Sequence, residues 1–169
     1  MQKFAELWTQ AGRALSGDPW QEYPRPSLRR DSYLNLNGMW EFAAGDAARF
    51  PERYDRTIRV PFPPESLLSG VHEQFPGERA LYYRRRFLLP VGFVRRRVLL
   101  HFGAADQIAE VWLNGAALGT HTGGYEPFTF DVTDALREEN VLLVRVTDRL
   151  ETHVLPYGKQ RRRRGGMWY

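Results

Sequence analysis

The sequence predicts an all-β sandwich preceded by one short helix. Short runs with two-residue periodicity recur from about residue 39 to residue 147, the spacing of half-buried strands. Turn signals separate them roughly every ten residues, as in sandwiches and jelly rolls. Nothing alternates strand with long helix, which excludes a Rossmann or TIM-barrel architecture within the chain.

Each element follows from local chemistry. Residues 2–15 place Phe4, Leu7, Trp8, Ala11 and Leu15 on one helical face, and Gly17 ends the pattern. Residues 18–38 read as loop, with Pro19, Pro24, Pro26, Asn35, Asn37 and Gly38. Met39–Phe42 and Thr57–Val60 open the strand series. Residues 61–80 form a long proline-rich loop in which Pro64–Leu68 has the composition of one helical turn. Residues 80–89 and 94–102 read as two strands paired across the Pro90–Gly92 turn. Residues 107–113 lead into Asn114-Gly115, the strongest hairpin signal in the chain, and Ala117–Gly119 returns from it. Phe128–Val132 precedes a helical turn that Thr133 or Asp134 would cap. Residues 140–147 close the series. Trp40 and Trp112, on alternating strands, read as core.

Composition narrows the function. The chain has 169 residues, 43% of them hydrophobic and 14% aromatic, which suits one folded domain. It has no cysteine, so disulfides, thiolate-ligated metals and thiol nucleophiles are excluded. The net charge is +4, and only Lys3 and Lys159 among the 24 basic residues are lysine. Arginine runs occur at 84–86, 95–97 and 161–164. The first two fall in expected strands, where neighbouring side chains point to opposite faces, so they cannot form one continuous basic face. Arg84 and Arg86 should share a face, with Arg85 opposite, at a rim or paired with an acid. No nucleic-acid partner is therefore expected. Residues 1–17 contain no signal-peptide core and no run reaches membrane-helix length, so the expectation is a soluble, cytoplasmic protein with no membrane partner.

Catalytic signals are absent. His72, His101, His121 and His153 have no metal-ligand spacing, and His121 reads as a loop hydrogen-bonding residue. Ser66 and Ser69 lie outside any nucleophile elbow. Gly165-Gly166 is too short for a phosphate loop. The acids are scattered, with no sign of the carboxylate pair a glycosidase needs. No cofactor and no metal are expected.

Several segments carry a resemblance. Leu36-Asn37-Gly38-Met39-Trp40-Glu41-Phe42 resembles the first-strand motif of the N-terminal domain of glycoside hydrolase family 2, which includes β-galactosidases, β-glucuronidases and β-mannosidases. Val60–Ser66 with Leu68-Ser69-Gly70 resembles its proline-rich loop, and Tyr82–Phe87 its Tyr-Arg-Arg strand. The run Leu99–Asp134 contains HFGAADQIAEVWLNGAALGTHTGGYEPFTFDVTD, close to the family's most specific stretch. Gly158–Gln160 and Gly165–Tyr169 fit its tail. The resemblance covers residues 28–169.

The resemblance implies a galactose-binding-domain-like β jelly roll over 28–169, after a helix and proline-rich lead-in over 1–27. It implies partners: an immunoglobulin-like domain and a TIM barrel of the parent glycosidase, and that parent's carbohydrate substrate. The family's catalytic glutamates lie in the barrel, one directly after an asparagine. This chain has no Asn-Glu dipeptide, so on its own it should be inactive. Relatives continue past the tail motif into a closing strand, so the domain is expected to be truncated at Tyr169. Unpaired edges would then favour self-association. Some relatives place an acid before the tail tryptophan, against the sugar, but Gly165-Gly166-Met167-Trp168 has none. The candidate cleft-facing residues are Glu65, His72 and Glu73 in the 62–80 loop, and Tyr157 and Trp168 in the 157–168 loop. A free-standing carbohydrate-binding module is the alternative.

Overall fold

The computed structural model describes residues 6, 8–23, 27, 29–75, 79–94 and 96–148. Among the described residues eight strands follow one short α-helix. Strand β1 spans Gly38–Asp46, β2 Arg56–Val60, β3 Arg79–Leu88, β4 Leu99–Phe102, β5 Ile108–Leu113, β6 Ala116–Thr122, β7 Phe128–Asp131 and β8 Glu139–Thr147. A six-stranded sheet has the order β2-β1-β3-β8-β5-β6, and β4 pairs with β7 in a second sheet. Every pairing is antiparallel. The all-β expectation holds.

Alternation along the strands gives the large sheet two unlike faces. Trp40, Phe42, Ile58, Val111, Leu113, Leu142 and Val144 point inward and form the main core. Leu100, Phe102 and Phe130 of the small sheet pack against it, as do Val71 and Phe75 from the chain between β2 and β3. The outer face is charged. The Arg84 guanidinium donates to both Glu41 oxygens, at 2.6 and 2.7 Å, under the Tyr54 ring. Arg145 donates through Nε to Glu110 at 2.6 Å and lies against Phe50 and Trp112. The 47–55 loop supplies this roof, and the buried Tyr82 hydroxyl bonds to the Asp46 carbonyl at 2.6 Å beneath it.

The β5–β6 hairpin shows why its turn is Asn-Gly. Asn114 and Gly115 have φ of 53° and 86°, the left-handed values a two-residue hairpin turn requires. Asn114 also ties the hairpin to β8. Its Nδ2 donates to the Ala135 carbonyl at 2.7 Å and to Asn140 Oδ1 at 2.9 Å. Its Oδ1 accepts from the Val141 backbone at 2.8 Å. Asn140 is fully buried and brackets the Arg137 peptide N–H and C=O.

Five expectations are corrected. Helix α1 is Gln10–Ala14 rather than 2–15, with Phe4 and Leu7 outside the described residues. Trp8 and Ala11 are exposed, and the buried position is Gly12, which faces Leu68. Val94 and residues 96–98 do not continue a strand into β4. β4 pairs with β7 in the other sheet, while β3 pairs with β1 and β8. The apolar run Leu99–Phe102 is needed by the second layer, so the chain crosses over instead of turning back. Trp112 lies on the outer face under Phe50, whereas Trp40 is core at 6% exposure. The turn at Thr133–Ala135 has no side-chain cap from Thr133 or Asp134. Asp131 instead accepts from the Thr133 backbone N–H and hydroxyl. In the proline-rich loop the helical turn is a 3-10 turn at Leu67–Ser69, later than Pro64–Leu68.

Candidate functional site

The 61–75 segment leaves β2 and crosses the inner face of the sheet. Its prolines cannot donate to a strand ladder, so side chains organise it. Ser66 Oγ accepts from the Ser69 N–H at 3.2 Å, capping the 3-10 turn. Ser69 is fully buried. Its hydroxyl lies 2.7 Å from the Ser66 carbonyl and accepts from the Val71 N–H at 3.0 Å and the His72 N–H at 3.4 Å. The Glu73 N–H closes the loop on the Pro64 carbonyl at 3.0 Å.

This scaffold places three of the expected residues. Glu73 forms an ion pair with Arg56, whose guanidinium lies 5.6 Å from the Phe75 ring centroid. Glu65 acts on Tyr83: burial pushes the Tyr83 phenol well up, and the Glu65 carboxylate adds to the shift. Arg56, Phe42 and Tyr83 are register partners across β2, β1 and β3. Glu65 and Glu73 thus bracket one cross-strand row. His72 has a positive φ of 50°, uncommon outside glycine, with its backbone held by Ser69. Tyr157 and Trp168 lie outside the described residues.

The arrangement suits presentation of a rigid rim. Glu73 is neutralised by Arg56, and Glu65 faces a phenol held in its neutral form. Among the described residues no three His, Asp or Glu side chains gather where they could hold a metal ion. Sequence reasoning missed Arg56, Ser69 and Tyr83, the residues that position this loop. Ser69 had a weak signal in its spacing from Ser66. Arg56 and Tyr83 had none, because only the sheet register brings them together.

The HTGGY stretch is packed internally. His121 Nε2 lies 3.1 Å from the Gly123 carbonyl, as a loop hydrogen bond, and the ring stacks on Phe128 at 4.2 Å. Gly119 lies under Phe130, and a Cβ there would come within 2.9 Å of that ring. Gly124 rests against the Asp106 carboxyl, whose pKa burial pushes up. Tyr125, at 74% exposure, projects from this loop.

Residues 68–162 match the model for the glycosyl hydrolase 2 galactose-binding domain-like family. The chain belongs to that family. It is 34% identical over 134 residues to a β-galactosidase of Thermoanaerobacter pseudethanolicus, covering 74% of this chain and 18% of that protein. It is 31% identical over 174 residues to the β-glucuronidase of Canis lupus familiaris, covering 90% of this chain and 26% of that one. A solved structure of Bifidobacterium dentium β-glucuronidase, complexed with coumarin-3-O-glucuronide, superposes with a TM-score of 0.58 at 32% identity, over 72% of this chain and 21% of that one. This galactose-binding-like domain therefore spans about a fifth to a quarter of the relatives it matches. No described helix is long and apolar enough to cross a membrane.

Proposed function

We propose that the chain is the non-catalytic jelly-roll domain of a family 2 glycosidase. It packs on a catalytic barrel, alongside an immunoglobulin-like domain, and its 61–75 rim shapes the substrate cleft. The parent cleaves a terminal β-linked sugar with retention, through two carboxylates on the barrel. The observation that carries this reading is the family match combined with coverage of only about a fifth of the glycosidase relatives. Cytoplasmic action is part of the proposal, supported by the absence of cysteine.

The test is an assay of the full-length enzyme carrying this domain, on aryl β-glucuronides and β-galactosides. The isolated chain should hydrolyse neither. Glu65→Gln in the full enzyme should raise KM about two- to tenfold with kcat nearly unchanged, as loss of a substrate-positioning contact does. Turnover by the isolated chain would overturn the reading, and an unchanged KM would remove the role of the rim.

A second reading, a carbohydrate-binding module acting alone, is favoured by two exposed aromatics. Tyr125 is 74% exposed and Trp20 is 64% exposed, with Trp20 tilted against Phe62 at 5.9 Å. Sugar faces stack on such rings. Calorimetric titration with galactose, glucuronic acid and mannose distinguishes the two, and three flat titrations exclude the module. Self-association is supported by β2 and β6, the edge strands of the large sheet among the described residues. A concentration-independent monomer in sedimentation would remove it.

A further inference from the structure

Helix α1, the end of β2 and the Leu67–Ser69 turn of the 61–75 segment line an open cleft of about 610 Å³. That is the size of small-molecule sites. Trp8, Leu15, Met39 and Leu68 provide apolar walls, and Arg13 and Arg59 line the same cleft. None of its described lining residues is acidic.

Arg59 contrasts with two other arginines of the sheet. Arg84 and Arg145 are each held by a glutamate on the adjacent strand. Among the described residues neither Arg13 nor Arg59 has an ion-pair partner. Arg59 Nε, like Arg85 Nε on β3, is shut off from solvent without a hydrogen-bond partner, and Arg59 is the one of the two that lines the cleft. Buried donors are almost always satisfied, and a charged one left alone is costly. A guanidinium fork is satisfied best by a planar carboxylate. The apolar walls argue against a bare inorganic anion, which would gain nothing from Trp8 or Met39.

We propose that this cleft binds a small amphipathic organic anion, a carboxylate carried on an apolar ring or chain. The carboxylate meets Arg59 and Arg13, and the apolar body lies against Trp8, Leu15, Met39 and Leu68. The site shares the Leu67–Gly70 stretch with the 61–75 segment, and its occupant is recognised by charge and apolar surface rather than as a carbohydrate.

The experiment titrates the full chain with 3-phenylpropionate, followed by NMR and calorimetry. Saturable one-to-one binding is expected at about millimolar affinity or tighter. The neutral 3-phenylpropanol should bind roughly tenfold more weakly, and so should acetate, since each lacks half of the recognition. Arg59→Gln should lose about tenfold, and Arg13→Gln about threefold. Far-UV circular dichroism checks that Arg59→Gln remains folded. Arg13 is exposed on α1, so its variant keeps the test valid if Arg59→Gln unfolds. No saturation by about 20 mM, equal affinity for the alcohol, or unchanged affinity in Arg13→Gln would each overturn the proposal.

Discussion

The two faces of the six-stranded sheet are built from the same strands by different physics. The inner face is buried by apolar contact with β4, β7 and the 61–75 segment. The outer face is closed by charge, with Glu41–Arg84 and Glu110–Arg145 across neighbouring strands and Tyr54 and Phe50 laid over the guanidiniums. The inner face derives its stability from removing surface from water, which is nondirectional and large. The outer face gains mainly specificity. Half-exposed ion pairs contribute little net stability, but each glutamate fixes where its arginine lies and so where the 47–55 loop can settle. Arg84 and Arg145 are thereby placed without any external polyanion.

The sharpest way to break this contrast is to truncate the inner face. Phe42→Ala should cost about 3–5 kcal/mol, read from the urea midpoint, because it opens a cavity between Phe75 and Tyr83. A loss below about 1 kcal/mol would mean that the inner face is loosely packed. Asn140→Ala should cost about 1–3 kcal/mol, because it removes a fully buried side chain that bonds the Arg137 peptide groups and Asn114 Nδ2. Amide exchange at Val141 and Asn114 should rise in the same variant.

The outer face should respond less. A double-mutant cycle on Glu41 and Arg84 should give a coupling below about 1 kcal/mol, shrinking further in about 1 M salt. The hydrogen bond from Arg84 holds the Glu41 carboxyl below its usual range. A coupling as large as the Phe42 effect would erase the distinction between the faces.

The smallest expected effect lies at the edge of the second sheet and depends on pH. Hydrogen bonds from the Thr133 hydroxyl, from Arg97 and from the Thr133 backbone hold Asp131 at about 2. A folded pKa below the unfolded one adds stability above the unfolded value, and that stability disappears as pH falls through the folded pKa. Wild-type protein should therefore exceed Asp131→Asn in urea midpoint at about pH 5, and the gap should close by about pH 2. A gap that stays constant over this range would show that Asp131 acts through packing alone.

Much of the architecture was legible because it rests on short-range periodicity. Strands β1, β3, β5 and β8 bury alternate residues, so their pattern announces them. The Asn114-Gly115 turn is specified by the left-handed backbone it needs. The strand pairing of 94–102 was not legible. Both β3 and β7 combine aromatic with polar residues, and only burial of the second layer chooses between them. The helix was overread because Trp8 and Ala11 fit a helical stripe, yet the contact is made by Gly12 against Leu68. At the rim, Glu65, His72 and Glu73 could be named from the loop they occupy. Their partners Arg56 and Tyr83 could not, since they lie on other strands.

The sequence alone determined the class of the fold, the hairpin and the family motifs, because each depends on residues a few positions apart. Only the tertiary structure decided which arginines are matched by glutamates and which line an unmatched cleft. Ion pairing across strands depends on register, which is a property of the assembled sheet. Arg84 and Arg59 are the same residue on strands of the same sheet. Glu41 lies opposite one, and no described carboxylate lies against the other.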